Sequence, residues 1–171
     1  ERITHKSIRR YLMILMVLMV FWMLMRTLRH TVFYLVFPIG QWCWYAYYIS
    51  MILIPEICFF ASKYIGRSEE YRMPRRWRLM SIPTVILIIG ILTNDLHQWA
   101  FKYYLGYESG WNTYQFGFLY YITIVWVFLC LIMMIVEAVK RCRVPGTNKF
   151  IARPLAMIGL GLLYTILYTI D

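Results

Sequence analysis

Val85-Ile86-Leu87-Ile88-Ile89-Gly90-Ile91-Leu92 carries no polar side chain, and it runs straight into Thr93-Asn94-Asp95-Leu96-His97-Gln98 before Trp99-Ala100-Phe101 closes the stretch. An apolar block that ends in a knot of polar groups and then in aromatics marks a helix reaching the edge of a hydrocarbon layer. Polar and ionisable groups at membrane depth are costly, and they persist where they hold a partner or serve a function. The rest of the chain repeats the apolar block rather than the knot, so the knot is where a membrane bundle concentrates its polarity.

Composition supports that class. Hydrophobic residues make up 61% of the chain and aromatics 19%, well above the soluble globular average. A soluble chain of 171 residues is long enough to build a core, but it could not hide this much apolar surface behind a polar exterior. Long apolar blocks, rather than short alternating segments, exclude a transmembrane barrel. The expected fold class is all-α, a polytopic transmembrane helix bundle with five membrane-spanning helices in one domain covering residues 1–171. They are expected over about 11–30, 39–65, 79–101, 118–139 and 154–171.

Punctuation between the blocks is clear. Pro38 and Gly40 mark the turn before the second helix, Pro55 can kink it, and Pro83 falls in the first turns of the third, where proline is tolerated. Pro154 opens the fifth. Trp42, Trp44, Tyr45, Tyr47 and Tyr48 form a belt of the ring types found at headgroup level. That belt, and the methionines Met13, Met16, Met19, Met23 and Met25 of the first helix, are expected to face lipid or to pack.

The net charge of +10 does not signal nucleic acid, because the basic residues sit in short clusters between apolar blocks and not on one face of a soluble element. Segments 1–10, 63–78 and 140–153 hold 4, 6 and 5 Lys and Arg, whereas 26–41 and 102–117 hold 2 and 1. Alternate loops therefore fall on opposite sides, and positive-inside bias places the N-terminus in the cytoplasm and the polar knot near the outer face. The chain starts on a basic loop and ends straight after an apolar run, so it is expected to be a fragment of a longer protein.

Candidate functional residues are few. At helical spacing Asn94, His97 and Gln98 share one stripe, with Asp95 beside it and Trp99 and Trp111 available as walls. Such a stripe can cradle a small polar ligand or sense a proton; it can equally be glue between helices. Glu56 is the one acid deep inside an apolar block, either a proton or cation site or a structural partner of another helix. Glu137 lies three and four residues before Lys140 and Arg141 and is expected in a surface ion pair on its own helix. Gly159-Leu160-Gly161 lacks GxxxG spacing and is not a nucleotide loop. Cys43, Cys58, Cys130 and Cys142 form no CxxC pair and read as free thiols. No metal, cofactor or catalytic constellation is expected.

Arg9-Arg10-Tyr11-Leu12, Phe21-Trp22, Arg26-Thr27-Leu28, Trp44-Tyr45 with Tyr47-Tyr48, Ile54-Pro55 and Leu92-Thr93-Asn94-Asp95-Leu96-His97-Gln98 together resemble the N-terminal seven-helix membrane region of bacterial sensor histidine kinases. In that family the segment at Asn94 often reads Asn-Pro-x-His with an aromatic following; here Asp95 takes the place of the proline. The resemblance places this chain at helices two to six and implies signal input to a cytoplasmic kinase that this sequence does not contain. The expected function is a membrane-embedded sensor domain in a two-component system. The alternatives are a transport or complex-assembly subunit using Glu56 and the Asn94–His97 cluster, and a membrane enzyme completed by another chain. Expected partners are the lipid bilayer, a small ligand, and a second copy or other membrane helices, with no nucleic acid.

Overall fold

A computed structural model describes residues 6–31, 37–65, 67, 70–103 and 114–142. Helices hold 83% of these residues, so the all-α class is right except for one short hairpin. The elements are α1 (Lys6–Thr31), α2 (Phe37–Tyr64), α3 (Arg75–Arg78), α4 (Ser81–Leu92), α5 (Asn94–His97), β1 (Phe101–Tyr103), β2 (Tyr114–Phe116) and α6 (Phe118–Cys142). By length and composition α1, α2 and α6 are able to cross a membrane. The expected span over 154–171, with Gly159-Leu160-Gly161, lies outside the described residues, as does Trp111.

α2 is the centre of the bundle, in contact with α1, α4 and α6. It runs through Pro55 as one element. Its flank carries two clusters. Toward its start, Trp44, Tyr45, Tyr48 and Ile52 pack with Leu87, Ile91, Phe101 and Leu119. Toward its end, Phe59, Phe60 and Tyr64 pack with Met73. α1 is different: it has no buried residue, and Met13, Met16, Met19 and Met23 are all exposed, as expected of side chains that face lipid.

The largest departure from expectation is the third helix. Instead of one helix over 79–101 the chain forms α4 and α5 and then a strand, with the short α3 just ahead of residue 79. Both breaks have local causes. Pro83 has no N–H to give the Leu79 carbonyl and its ring crowds that carbonyl; the Ile82 N–H takes the Leu79 carbonyl instead, at 3.1 Å, and the turn tightens at Leu79–Met80. At the other end the Thr93 Oγ1 and Thr93 N–H both donate to the Ile89 carbonyl, at 2.8 and 2.9 Å, a side-chain competition that bends helices. α5 then ends on Gln98, whose φ of 52° is left-handed, with its N–H on the Asn94 carbonyl at 2.7 Å as a C-terminal cap.

β1 and β2 are antiparallel, with Phe101 opposite Phe116, Lys102 opposite Gln115 and Tyr103 opposite Tyr114. The hairpin leads directly into α6. The first donors of α6 find partners there: Gly117 N–H reaches the Ala100 carbonyl at 2.8 Å and Leu119 N–H the Trp99 carbonyl at 3.1 Å, which satisfies groups that a helix start leaves open.

Gly117 sits where no side chain fits, since a Cβ there would lie 2.0 Å from the Trp99 carbonyl oxygen. Gly90 is different, because its added Cβ would meet only the tip of the Leu119 side chain, at 2.8 Å. Gly117→Ala is therefore expected to lower stability by about 2–3 kcal/mol, the upper range of overpacking costs, and Gly90→Ala by about 1 kcal/mol. Thermal unfolding of the two variants in detergent measures the difference.

Candidate functional site

Tyr45, in the third turn of α2, and Asn94, the first residue of α5, face each other across the bundle, and both are fully buried. The Asn94 amide makes four hydrogen bonds. Its Oδ1 accepts the N–H groups of Ala100 and Phe101 at 2.9 and 3.0 Å. Its Nδ2 donates to the Phe101 carbonyl at 2.9 Å and to the Tyr45 hydroxyl at 3.2 Å. Two donors and two lone pairs are the full capacity of a carboxamide. By pairing with both backbone groups of Phe101 the side chain acts as a rung of backbone, and it ties the hairpin to the helix end.

The Tyr45 hydroxyl links this rung to a carboxylate. It also accepts from Gln41 Nε2 at 2.7 Å and donates to Asp95 Oδ1 at 2.8 Å. Gln41 Nε2 donates a second bond to the same carboxylate oxygen at 2.7 Å. With two amide donors aimed at its oxygen, the phenol has its proton left for Asp95. The four residues form a directional network from the start of α2 to α5.

His97 lies on the rim. Thr93 Oγ1 has its proton on Ile89, so His97 Nε2 donates to Thr93 Oγ1 at 3.3 Å, while Nδ1 accepts the Trp99 N–H at 3.0 Å. Both bonds fit the neutral ring carrying its proton on Nε2; a proton added at Nδ1 would break the second. The His97 and Trp99 rings lie 4.6 Å apart, and Trp99 packs on Phe118 at 5.5 Å. The expected stripe is thus divided. Asn94 turns into the bundle, His97 is half-buried, and the left-handed Gln98 is exposed. Helical spacing fails because the helix bends at Thr93 and ends at Gln98.

Under the network lies an aromatic cluster centred on Phe101, which is fully buried. Its ring lies 4.4 Å from Trp44, 5.3 Å from Tyr48 and 5.9 Å from Tyr120. Arg29 of α1 covers Trp44 from the other side at 4.4 Å. Sequence reasoning placed Tyr45 in a lipid-facing or packing belt and left Gln41 out. The signal available was their spacing: Gln41 and Tyr45 are one turn apart on α2 and meet Asp95 together.

The remaining polar groups stitch helices at single points. Glu56, 2% exposed, accepts from Ser81 Oγ of α4 at 2.7 Å. Thr84 accepts from Trp126 Nε1 at 3.0 Å, joining α4 to α6. Glu137 was expected at the surface, but it is buried and bonds Lys63 of α2 at 2.7 Å. The Lys63 ammonium also sits 4.0 Å above the Trp77 ring.

Asn94→Ala would leave two N–H groups and a carbonyl short of partners, and should cost about 3 kcal/mol at the usual penalty for buried unsatisfied groups. Asn94→Asp keeps the two acceptor bonds and should lose less. His97→Ala removes two rim bonds and should cost under about 1 kcal/mol, as membrane hydrogen bonds average about 0.6. Chemical or thermal unfolding orders the three variants.

Comparison with curated proteins and with solved structures finds no match. A family model described as the N-terminal 7TM region of histidine kinase matches residues 2–170, and that match takes in the whole Gln41–Tyr45–Asn94–Asp95 network and its aromatic floor. The chain is therefore a membrane-embedded one, and it belongs to the N-terminal seven-transmembrane region of histidine kinases.

Proposed function

We propose that this chain is the sensor input domain of a histidine kinase, reading a small ligand or a proton at the Asn94–Trp99 segment and passing the change along α2. The observation that carries this reading is the Gln41–Tyr45–Asn94–Asp95 network, which joins a loop-borne hairpin to the central helix of the bundle. α2 is tied at its other end to α6 through Lys63 and Glu137. A shift of the hairpin therefore reaches the far end of α6 through one rigid element. Phosphoryl transfer belongs to the cytoplasmic part of such a kinase, and this segment supplies input alone.

The threading follows from charge. The N-terminus lies in the cytoplasm, the Lys63 end of α2 faces inward, and the Asn94 network faces outward. The path from Leu79 to His97, at about 1.5 Å per residue, is about 28 Å long, close to a hydrocarbon core of ~30 Å. It crosses as a segmented span, and the stretch 154–171 makes the fifth crossing of one domain covering residues 1–171. The bilayer is its solvent, and a second copy or further membrane helices cover what lipid does not. Transport through Glu56 would require a water path to that carboxylate, and its bond to Ser81 at 2% exposure lends that reading no support.

Topology is tested by thiol labelling on a background lacking native cysteines: Ser68→Cys should react only from the cytoplasmic side and Asn112→Cys only from outside. Reaction of Ser68→Cys in intact cells would reverse the threading. Function is tested in the full-length kinase in vesicles. His97→Ala should cut the stimulus-dependent change in autophosphorylation by more than about half while stability stays within about 1 kcal/mol, as for a group away from the core. An unchanged response would sink the role given to His97.

A further inference from the structure

A cavity of about 540 Å³ opens where the start of α1, the end of α2 and the turn before α3 meet. Ser7 is in the first turn of α1, and Tyr64 is the last residue of α2; both line it. Because α1 and α2 are membrane spans, the cavity sits at the headgroup level whichever way the chain is threaded. Its lining is built for an anion. Arg72 and Arg78 line it, together with the hydroxyl-bearing Ser7, Tyr64 and Tyr71. Glu70 adds one carboxylate, so the two arginines outweigh it by one charge. Met73, which is buried, floors it and belongs with Tyr64 to the apolar cluster of that end. Beside it, the Arg67 guanidinium lies 3.7 Å over the Tyr71 ring, and its Nε is buried with no hydrogen-bond partner among the described residues.

We propose that this cavity binds the phosphate of an anionic phospholipid headgroup, with Arg72 and Arg78 on the phosphate oxygens and Glu70 accepting from a hydroxyl of the head. Guanidinium forks match phosphate geometry and keep their charge at any working pH. Basic pockets between membrane helices hold anionic headgroups for the same reason. The hydroxyls complete the oxygen shell, and Glu70 can accept from a hydroxyl of the head. Lys6, Arg9, Arg10, Arg75 and Arg76 surround this end and raise the local concentration of anions without lining the cavity. The same phosphate chemistry is offered by a soluble glycerol phosphate, and the test separates the two sources. The proposal rests on α1 and α2 as membrane spans and not on the sensor function.

The full-length protein is placed in phosphatidylcholine nanodiscs with or without a minor fraction of phosphatidylglycerol. Retained lipid is counted by native mass spectrometry, and thermal stability is measured in parallel. The wild type should retain phosphatidylglycerol and melt higher in its presence. Arg72→Gln with Arg78→Gln should lower retention about tenfold or more, at roughly 1 kcal/mol per basic residue. Arg75→Gln with Arg76→Gln removes the same charge outside the cavity and should retain the lipid. If the glutamine pair fails to fold, Arg72→Lys with Arg78→Lys keeps the charge, loses the fork, and should show an intermediate loss. Glycerol phosphate added to pure phosphatidylcholine discs should not stabilise the protein; stabilisation there that needs Arg72 and Arg78 would keep the phosphate site and assign it to a soluble ligand. Equal losses from both glutamine pairs, or no loss from either, with no response to glycerol phosphate, would overturn the proposal and leave only a diffuse basic surface.

Discussion

Asn94 spends two donors and two acceptors in a place where water is excluded, and each of those bonds ends on a group that other parts of the structure need. Two hold Ala100 and Phe101 and so set where β1 begins. Because β1 is held there, Gly117 can come back against the Trp99 and Ala100 carbonyls and α6 can start with its donors filled. Because Phe101 is held there, its ring reaches Trp44, Tyr48 and Tyr120 and closes the aromatic cluster. The fourth bond ends on Tyr45 and carries the arrangement to α2. A hydrophobic residue of the same size could fill Asn94's space but would strand the backbone of the hairpin, and stranded backbone groups are what the membrane environment penalises most.

Much of the architecture was legible because hydrocarbon is an undemanding reader of sequence. Long apolar blocks separated by basic clusters marked α1, α2 and α6, although α1 starts five residues earlier than expected and Pro38 and Gly40 lie inside the first turn of α2 rather than before it, and the prominence of the Asn94 segment followed from polarity alone. What could not be read was conformation within a block. Pro83 lies in the first turn of α4, where it was expected to be tolerated, but the short α3 ahead of it was not foreseen. Thr93 gave no sign that its hydroxyl would compete for Ile89. A period-3.6 argument needs an unbroken helix, so it grouped His97 and Gln98 with Asn94 when only Asn94 turns inward.

Partners across space were the least legible of all. Glu137 has Lys140 and Arg141 at favourable helical offsets, and those neighbours are visible in one dimension. Lys63 is 74 positions away in sequence, and nothing local announces it. Exposed ion pairs on one helix contribute only tenths of a kcal/mol, whereas a buried Glu137 must have a cation beside it. The burial of the site, a tertiary property, therefore chooses the partner. The same reasoning applies to Gln41 and Tyr45, whose value depends on Asp95 arriving from another helix.

Under the proposed reading these two contacts make α2 a link between unequal ends. At one end four polar side chains share directional bonds, and an incoming donor or proton at Asp95 would release the Tyr45 hydroxyl to reorient. At the other end Lys63 and Glu137 form a buried pair: separating two buried charges costs several kcal/mol, and the Lys63 ammonium is also seated on Trp77. A single hydrogen bond is worth about 1 kcal/mol net. Adjustments at the Asn94 end are therefore soft and those at the Lys63 end stiff. A small displacement that enters at the soft end cannot be absorbed by opening the ion pair, so it must move α2 and α6 together.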